Sequence, residues 1–277
     1  MRGPRGFLPA PVFAAGRPLV FGHRGGARLG PENTLTAFRR AMAAGADGFE
    51  CDVRLSADAV PVVIHDPTLE RTTDATGPVH TRTADQLGRV DARCRFVPAE
   101  PAFAVAQPEG VPTLQAALTR FPGARVIIEI KDESTRLAEI VASLVSALGA
   151  APRVCIGSFH QAVLDRVREV APDLTTSASL RESQWTLALS WLRWPFAARP
   201  PYRAFQVPER SGRLPVVGPA FVRRAHRERA SVQVWTIDAP EDVRRLLALG
   251  VDGIISDRPD LAVGARDAFV AASSGPQ

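Results

Sequence analysis

The chain has 277 residues, 45% of them hydrophobic and 23% charged, which suits a soluble globular protein that is either two small domains or one large α/β barrel. Its net charge of +5 comes from scattered arginines with no basic stripe among aromatics, so nucleic-acid binding is set aside. Three cysteines without CxxC spacing argue against a disulfide framework or a zinc site and point to reduced cytosol, and no signal peptide or apolar run of about eighteen residues is evident.

In chain order, short β-rich runs alternate with helical patterns. Residues 19–23 read as a strand, 34–44 as an amphipathic helix and 48–53 as a second strand. Further strands are expected at 125–130, 154–159, 175–179, 204–207, 232–237 and 252–256. Helical stretches between them include 135–148, 161–170 and 241–249. The strands are continuous apolar runs, as strands buried on both faces should be. Eight such strands with helical crossovers predict an α/β fold, a (β/α)8 TIM barrel, with residues 1–277 forming one domain.

About seventy residues separate the second and third of these strands, so an insertion is expected there. It opens with CDVRLSADAVPVVIHD, two β-like runs around Asp58-Ala59 that predict a hairpin. A turn centred between those residues sets Asp52 opposite His65. Alanine resists the positive φ of a tight turn, which leaves the pairing open by one position. A short helix near 83–87 and a Pro-rich loop at 97–112 follow, and residues 67–112 are expected to cover the barrel mouth.

The residues that carry chemistry gather at the C-terminal ends of the early strands, where barrel enzymes keep their sites. The period of two puts Glu50 and Asp52 on one strand face, and Glu129 and Lys131 on one face of the next. His23 and Arg24 end the first strand, and the hairpin returns His65 to the same level. Lys131 is the only lysine, every other member of the 34 basic residues being arginine. Three converging carboxylates repel unless a cation neutralises them, and oxygen ligands suit Mg²⁺ or Ca²⁺ better than zinc. Arg24 and Lys131 beside that ion ask for an anionic substrate such as a phosphate. Two histidines supply an acid and a base, each worth about 10²–10⁴-fold. The set reads as metal-assisted phosphoryl transfer.

Other residues carry two readings. Glu32 and Asn33 precede a helix and are either caps or, for Glu32, part of the site as well. Asp66 either ends a strand or orients His65. Trp235 is core or a wall for the substrate. Cys51 reads as buried, and His80, His160 and His226 as surface or structural residues without partners. The stretch from Trp185 to Phe196 is apolar nearly all round, which fits burial against a helix or a second subunit, or contact with a membrane or lipid.

The segments FGHRGGARLGPENTLTAF, GADGFECDVRLS, VVIHDPTLERTTDATGPV, VPTLQAAL, IEIKDE, VWTID and GVDGIISDRPD, in this order, resemble the glycerophosphodiester phosphodiesterase family along nearly the whole chain. The resemblance implies a barrel hydrolase that cleaves a small-molecule glycerophosphodiester to glycerol 3-phosphate and an alcohol. It implies His23 and His65 as the acid/base pair and Glu50, Asp52 and Glu129 as ligands of one divalent metal ion. Arg24 and Lys131 would hold the phosphate, with a glycerol hydroxyl attacking phosphorus through a cyclic intermediate. The Trp-rich stretch keeps a lysophospholipase D activity as the alternative. The sequence leaves the oligomeric state unspecified.

Overall fold

A computed structural model describes residues 10–192, 194 and 199–274. Strand β1 (Leu19–Gly22) leads through a tight turn to α1 (Leu35–Ala43) and β2 (Gly48–Leu55). β3 (Pro61–Val63) returns antiparallel to β2, and α2 (Ala84–Leu87) lies in the excursion that follows. After α3 (Leu114–Arg120) come β4 (Arg125–Ile130), α4 (Thr135–Ala147), β5 (Val154–Gly157) and α5 (Gln161–Val170). β6 (Thr175–Thr176), α6 (Leu180–Trp191) and β7 (Ala204–Pro208) continue the alternation. A small hairpin of β8 (Arg210–Ser211) and β9 (Leu214–Pro215) then precedes α7 (Pro219–Arg227) and β10 (Ser231–Trp235). The described chain closes with α8 (Pro240–Ala248), β11 (Gly253–Ser256) and α9 (Pro259–Ser274).

The parallel strands stand in the order β6-β5-β4-β2-β1-β11-β10-β7, and a parallel bridge from Ser177 to Ala204 brings the two ends of the row together. At that seam the amide of Ala178 donates to the carbonyl of Ala204 at 2.7 Å, and that of Arg203 to Thr176 at 2.9 Å. The chain is thus the eight-stranded (β/α)8 barrel that its alternation predicts. Side-chain alternation divides the core in two. Leu19, Phe21, Ile127, Cys155, Ala204 and Ile255 pack inside the barrel. Val126, Ile128 and Ile130 point outward against the helices, in the same cluster as Phe38 of α1 and Phe49 of β2, whose rings stack 4.0 Å apart. Period-two strands buried on both faces explain why the sequence showed continuous apolar runs.

Four strands stop sooner than expected, among them β1 at Gly22 and β10 at Trp235. Strand β5 ends at Gly157 because the Ser158 hydroxyl turns to donate to the Ile130 carbonyl at 2.8 Å. Strand β6 is only two residues long because Ser179 caps α6, its hydroxyl accepting from the Glu182 amide at 3.1 Å. The β2–β3 pairing also differs by one position. Val53 pairs with Val63 and Leu55 with Pro61, so Asp52 lies opposite Ile64, not His65. Ala59 does adopt a positive φ of 59°, and the Ser56 hydroxyl secures the turn by accepting from the Val60 amide at 2.9 Å.

The excursion after β3 has a small core, including Ile64, Leu69, Val79 and Leu87, that packs with Val62 of β3. It is tied to the barrel where the Thr36 amide donates to Glu109 at 3.0 Å and Arg258 pairs with Glu100 at 3.0 Å. In α6, Thr186, Leu187 and Ser190 are buried, while Trp185 and Trp191 are exposed together with Leu192 and Trp194 beyond the helix. Burial of these tryptophans against a neighbouring helix of the same chain is therefore not what the fold does. Phe196, the far end of that stretch, lies outside the described residues. Among the described residues, no helix is long and apolar enough to cross a membrane.

Candidate active site

The turn after β1 builds the first part of the site. His23, Arg24 and Gly25 form one short helical turn, in which Arg24 takes φ 50° and Gly25 φ 84°. A Cβ on Gly25 would stand 2.6 Å from the Phe38 ring, so both the backbone sign and the space demand glycine. A left-handed arginine carries strain of about 1–3 kcal/mol, of a kind that gathers at functional sites. Here that geometry aims the Arg24 amide at Glu50 Oε2, 2.8 Å away.

β2 and β4 are in register with Asp52 beside Glu129, so Glu50, Asp52 and Glu129 converge. One oxygen from each lies within 4.8 Å of the others, in a setting where Glu50 and Asp52 are buried. Lys131 Nζ bonds both Asp52 Oδ1 at 3.0 Å and Glu129 Oε1 at 2.9 Å. Arg24 Nε approaches Asp52 Oδ2 at 3.4 Å without a hydrogen bond, and Asn33 holds the same oxygen through its amide at 2.8 Å.

This arrangement divides the carboxyl groups electrically. Burial and the nearby Asp52 push Glu50 up to about 8. Burial also outweighs Lys131 in raising Glu129. For Asp52 the same burial is overcome by Lys131 and Arg24, which hold its carboxyl below the usual range. Three hard oxygen donors, Glu50 and Asp52 buried and Glu129 partly so, with the Glu50 pKa raised by burial and by Asp52, fit a divalent cation of the Mg²⁺ or Ca²⁺ kind.

Each of the two site histidines is held at Nδ1 by an aspartate. His23 Nδ1 is 2.7 Å from Asp257 Oδ1, and His65 Nδ1 is 2.6 Å from Asp66 Oδ1. Burial works against a charge on His23, but Asp257 and Glu50 outweigh it and raise its pKa. For His65 burial prevails over Asp52 and Asp66, and its pKa falls. His65 reaches this level although the strand register is shifted, because β3 has ended at Val63 and alternation no longer governs it.

Glu32, Asp66 and Arg71 join the two histidine-bearing loops. Arg71 donates to both oxygens of Glu32 at 2.7 Å and to both of Asp66 at 2.6 and 3.0 Å, and Arg24 Nη1 reaches Glu32 Oε1 at 2.8 Å. Neither Glu32 nor Asn33 caps α1. Thr34 does so, accepting from the Ala37 amide at 3.2 Å.

These groups face a cavity of about 480 Å³, lined by His23, Arg24, Glu50, His65, Glu129 and Lys131 on one side and by Trp235 among others. Trp235 meets Phe159 edge-on with centroids 6.5 Å apart, while Val232 and Val234 point to the helices. The sequence reasoning did not single out Asp257, Arg71 or the Asn33 amide. Alternation through Gly253, Ile255 and Asp257 held the signal for the first, whereas Arg71 sits in a loop with no period to read. His226, expected to lack a partner, lies 2.8 Å from Asp252, and His160 lies 3.6 Å from Glu133.

The model of the glycerophosphoryl diester phosphodiesterase family matches residues 23–261. A glycerophosphodiester phosphodiesterase of Caldanaerobacter subterraneus subsp. tengcongensis is 33% identical over 255 residues, covering 89% of this chain and 97% of that protein. One from Bacillus subtilis is 30% identical over 279 residues, covering 92% and 91%. The crystal structure of a glycerophosphodiester phosphodiesterase from Agrobacterium tumefaciens superposes with a TM-score of 0.71 at 28% identity, covering 89% of this chain and 99% of that one. A family match over residues 23–261, with relatives 30–33% identical along most of both chains, makes the chain a member of the glycerophosphoryl diester phosphodiesterase family.

Proposed function

We propose that this glycerophosphodiester hydrolase is metal-dependent and uses His23 and His65 as its acid/base pair. The observation that carries the reading is the pairing of two aspartate-anchored histidines with Glu50 and Glu129 in one cavity, with an oxygen of the buried Asp52 within 4.8 Å of theirs. Glu50, Asp52 and Glu129 would hold the ion, which when bound supplies Lewis-acid charge at a phosphoryl oxygen. Arg24 and Lys131, the two permanent cations among the lining residues, bind the phosphate. Trp235 offers a flat wall to the organic part of the diester.

With Nδ1 of each ring committed to an aspartate, Nε2 is the nitrogen left for proton transfer. His65, held below its ordinary pKa, suits the base that takes the proton of the attacking hydroxyl. His23, held above it, suits the acid that protonates the departing alkoxide oxygen. Residues 67–112 serve as a cover of the mouth within one catalytic domain spanning 1–277, and bring Arg71 to the histidine-bearing loops.

The test is release of glycerol 3-phosphate from glycerophosphocholine and glycerophosphoethanolamine with Mg²⁺, with Ca²⁺ and with EDTA. Release that EDTA abolishes and a divalent ion restores is expected. Undiminished release in EDTA would overturn metal dependence, and wild-type rates in His23→Ala or His65→Ala would remove that histidine from the chemistry.

A further inference from the structure

The cavity extends well beyond its charged residues. Across the mouth from β1, β2 and β4, its other half is built from α6, the end of β7 and the β8–β9 hairpin. The lining there includes Phe159, Leu180, Leu187, Val207, Leu214 and Val216. The polar groups on that side, Ser158, Ser177, Ser183, Gln184, Gln206 and Ser211, are all neutral. Among the described residues, this half therefore presents no charged side chain. A choline or ethanolamine ammonium placed in it would leave water without meeting a carboxylate. Leu187 and Val207 are buried at its floor, whereas Leu180 and Leu214 are about half exposed and mark its rim.

We propose that this apolar half holds an aliphatic chain carried by the phosphodiester, so that the preferred substrate is amphiphilic. The inference rests on the hydrolase reading above and adds the class of substrate. Its basis is continuity, since a phosphate held at Arg24 and Lys131 lies in the same cavity as six apolar side chains. The chain has two chemical sources, the alkyl group of the leaving alcohol or the acyl chain of a lysophospholipid. In both, the P–O bond to the alcohol breaks, water gives its hydroxyl to phosphorus, and its other hydrogen ends on the departing oxygen.

The experiment measures kcat/KM in two series, with metal present and below micelle-forming concentrations. One series is glycerophospho-ethanol, -butanol and -octanol, assayed by glycerol 3-phosphate release. The other is lysophosphatidylcholines of rising acyl length, assayed by choline release. In one of the two, kcat/KM rises up to about fourfold per methylene while the chain lies within the apolar half. The series that rises names the source. In that series Leu180→Ser/Leu214→Ser, at rim positions where folding tolerates the change, lowers the long-to-short ratio about tenfold, with thermal melts checking that the fold is kept. Turnover of the ethyl diester with no chain-length dependence in either series overturns the amphiphile proposal and leaves the hydrolase reading standing. A ratio unmoved by the double substitution overturns the assignment of the chain to this half. Silence in both series, the ethyl diester included, sinks the hydrolase reading and this proposal together.

Discussion

The ammonium of Lys131 touches Asp52 and Glu129 at 3.0 and 2.9 Å, and a guanidinium there would have to spread its planar fork over the same two oxygens. In a chain whose other basic residues are all arginine, this position demands a compact charge. Lys131→Arg is therefore expected to stay folded and lose about 10²-fold or more in kcat, read by steady-state assay beside a thermal melt. Wild-type turnover would return the lone lysine to chance. Asp257 acts through His23, fixing which ring nitrogen carries the proton. With His23 as the acid, Asp257→Asn is expected to lower kcat by about 10²–10⁴-fold and to move the basic limb of the pH–rate profile to lower pH, because Asp257 helps raise the His23 pKa; a purely structural role would leave that limb in place.

At the scale of elements, helix α1 shows how scaffold and site share residues. Thr34 caps it, Asn33 just before it binds Asp52, and Phe38 within it stacks on Phe49. Phe49→Ala opens a fully buried gap and is expected to destabilise the protein by about 3–5 kcal/mol in denaturant unfolding, whereas Thr34→Ala should cost about 1 kcal/mol. Most strands were legible because they are buried on both faces and rich in apolar residues, and the carboxylates because period-two alternation held through β2 and β4. What escaped was set by single side chains at strand ends. Ser158 and Ser179 cut two strands short, and a turn secured by Ser56 shifted one register by a residue. The Trp-rich helix escaped for another reason. Composition shows how much apolar surface a helix has, and only packing shows that Leu187 turns inward while Trp185 turns out.

Over the whole molecule, the acidic trio is expected to link stability to pH and, on the metal-dependent reading proposed above, to a divalent ion. Glu50 has its pKa raised from 4.5 in the unfolded chain to about 8 in the fold, so between those values the folded state binds the extra proton. Stability contributed this way is present at low pH and lost as pH rises through that window. Relative to Glu50→Gln, metal-free wild type is thus expected to lose Tm from about pH 5 to pH 8, and the gain in Tm on adding Mg²⁺ or Ca²⁺ to wild type should grow over the same range. A metal-induced gain that is flat with pH would mean that Glu50 gives up no proton on binding.

One last consequence follows from a chain with a single lysine. Growth on isotope-labelled lysine marks one backbone amide and one side chain, both at the edge of the cavity. An NMR spectrum of that sample would contain one resonance per atom type, with nothing to assign. The occupancy of the acidic trio, the arrival of a phosphate and the order in which they come could each be followed on that one signal, in a protein that needs no substitution to serve as its own probe.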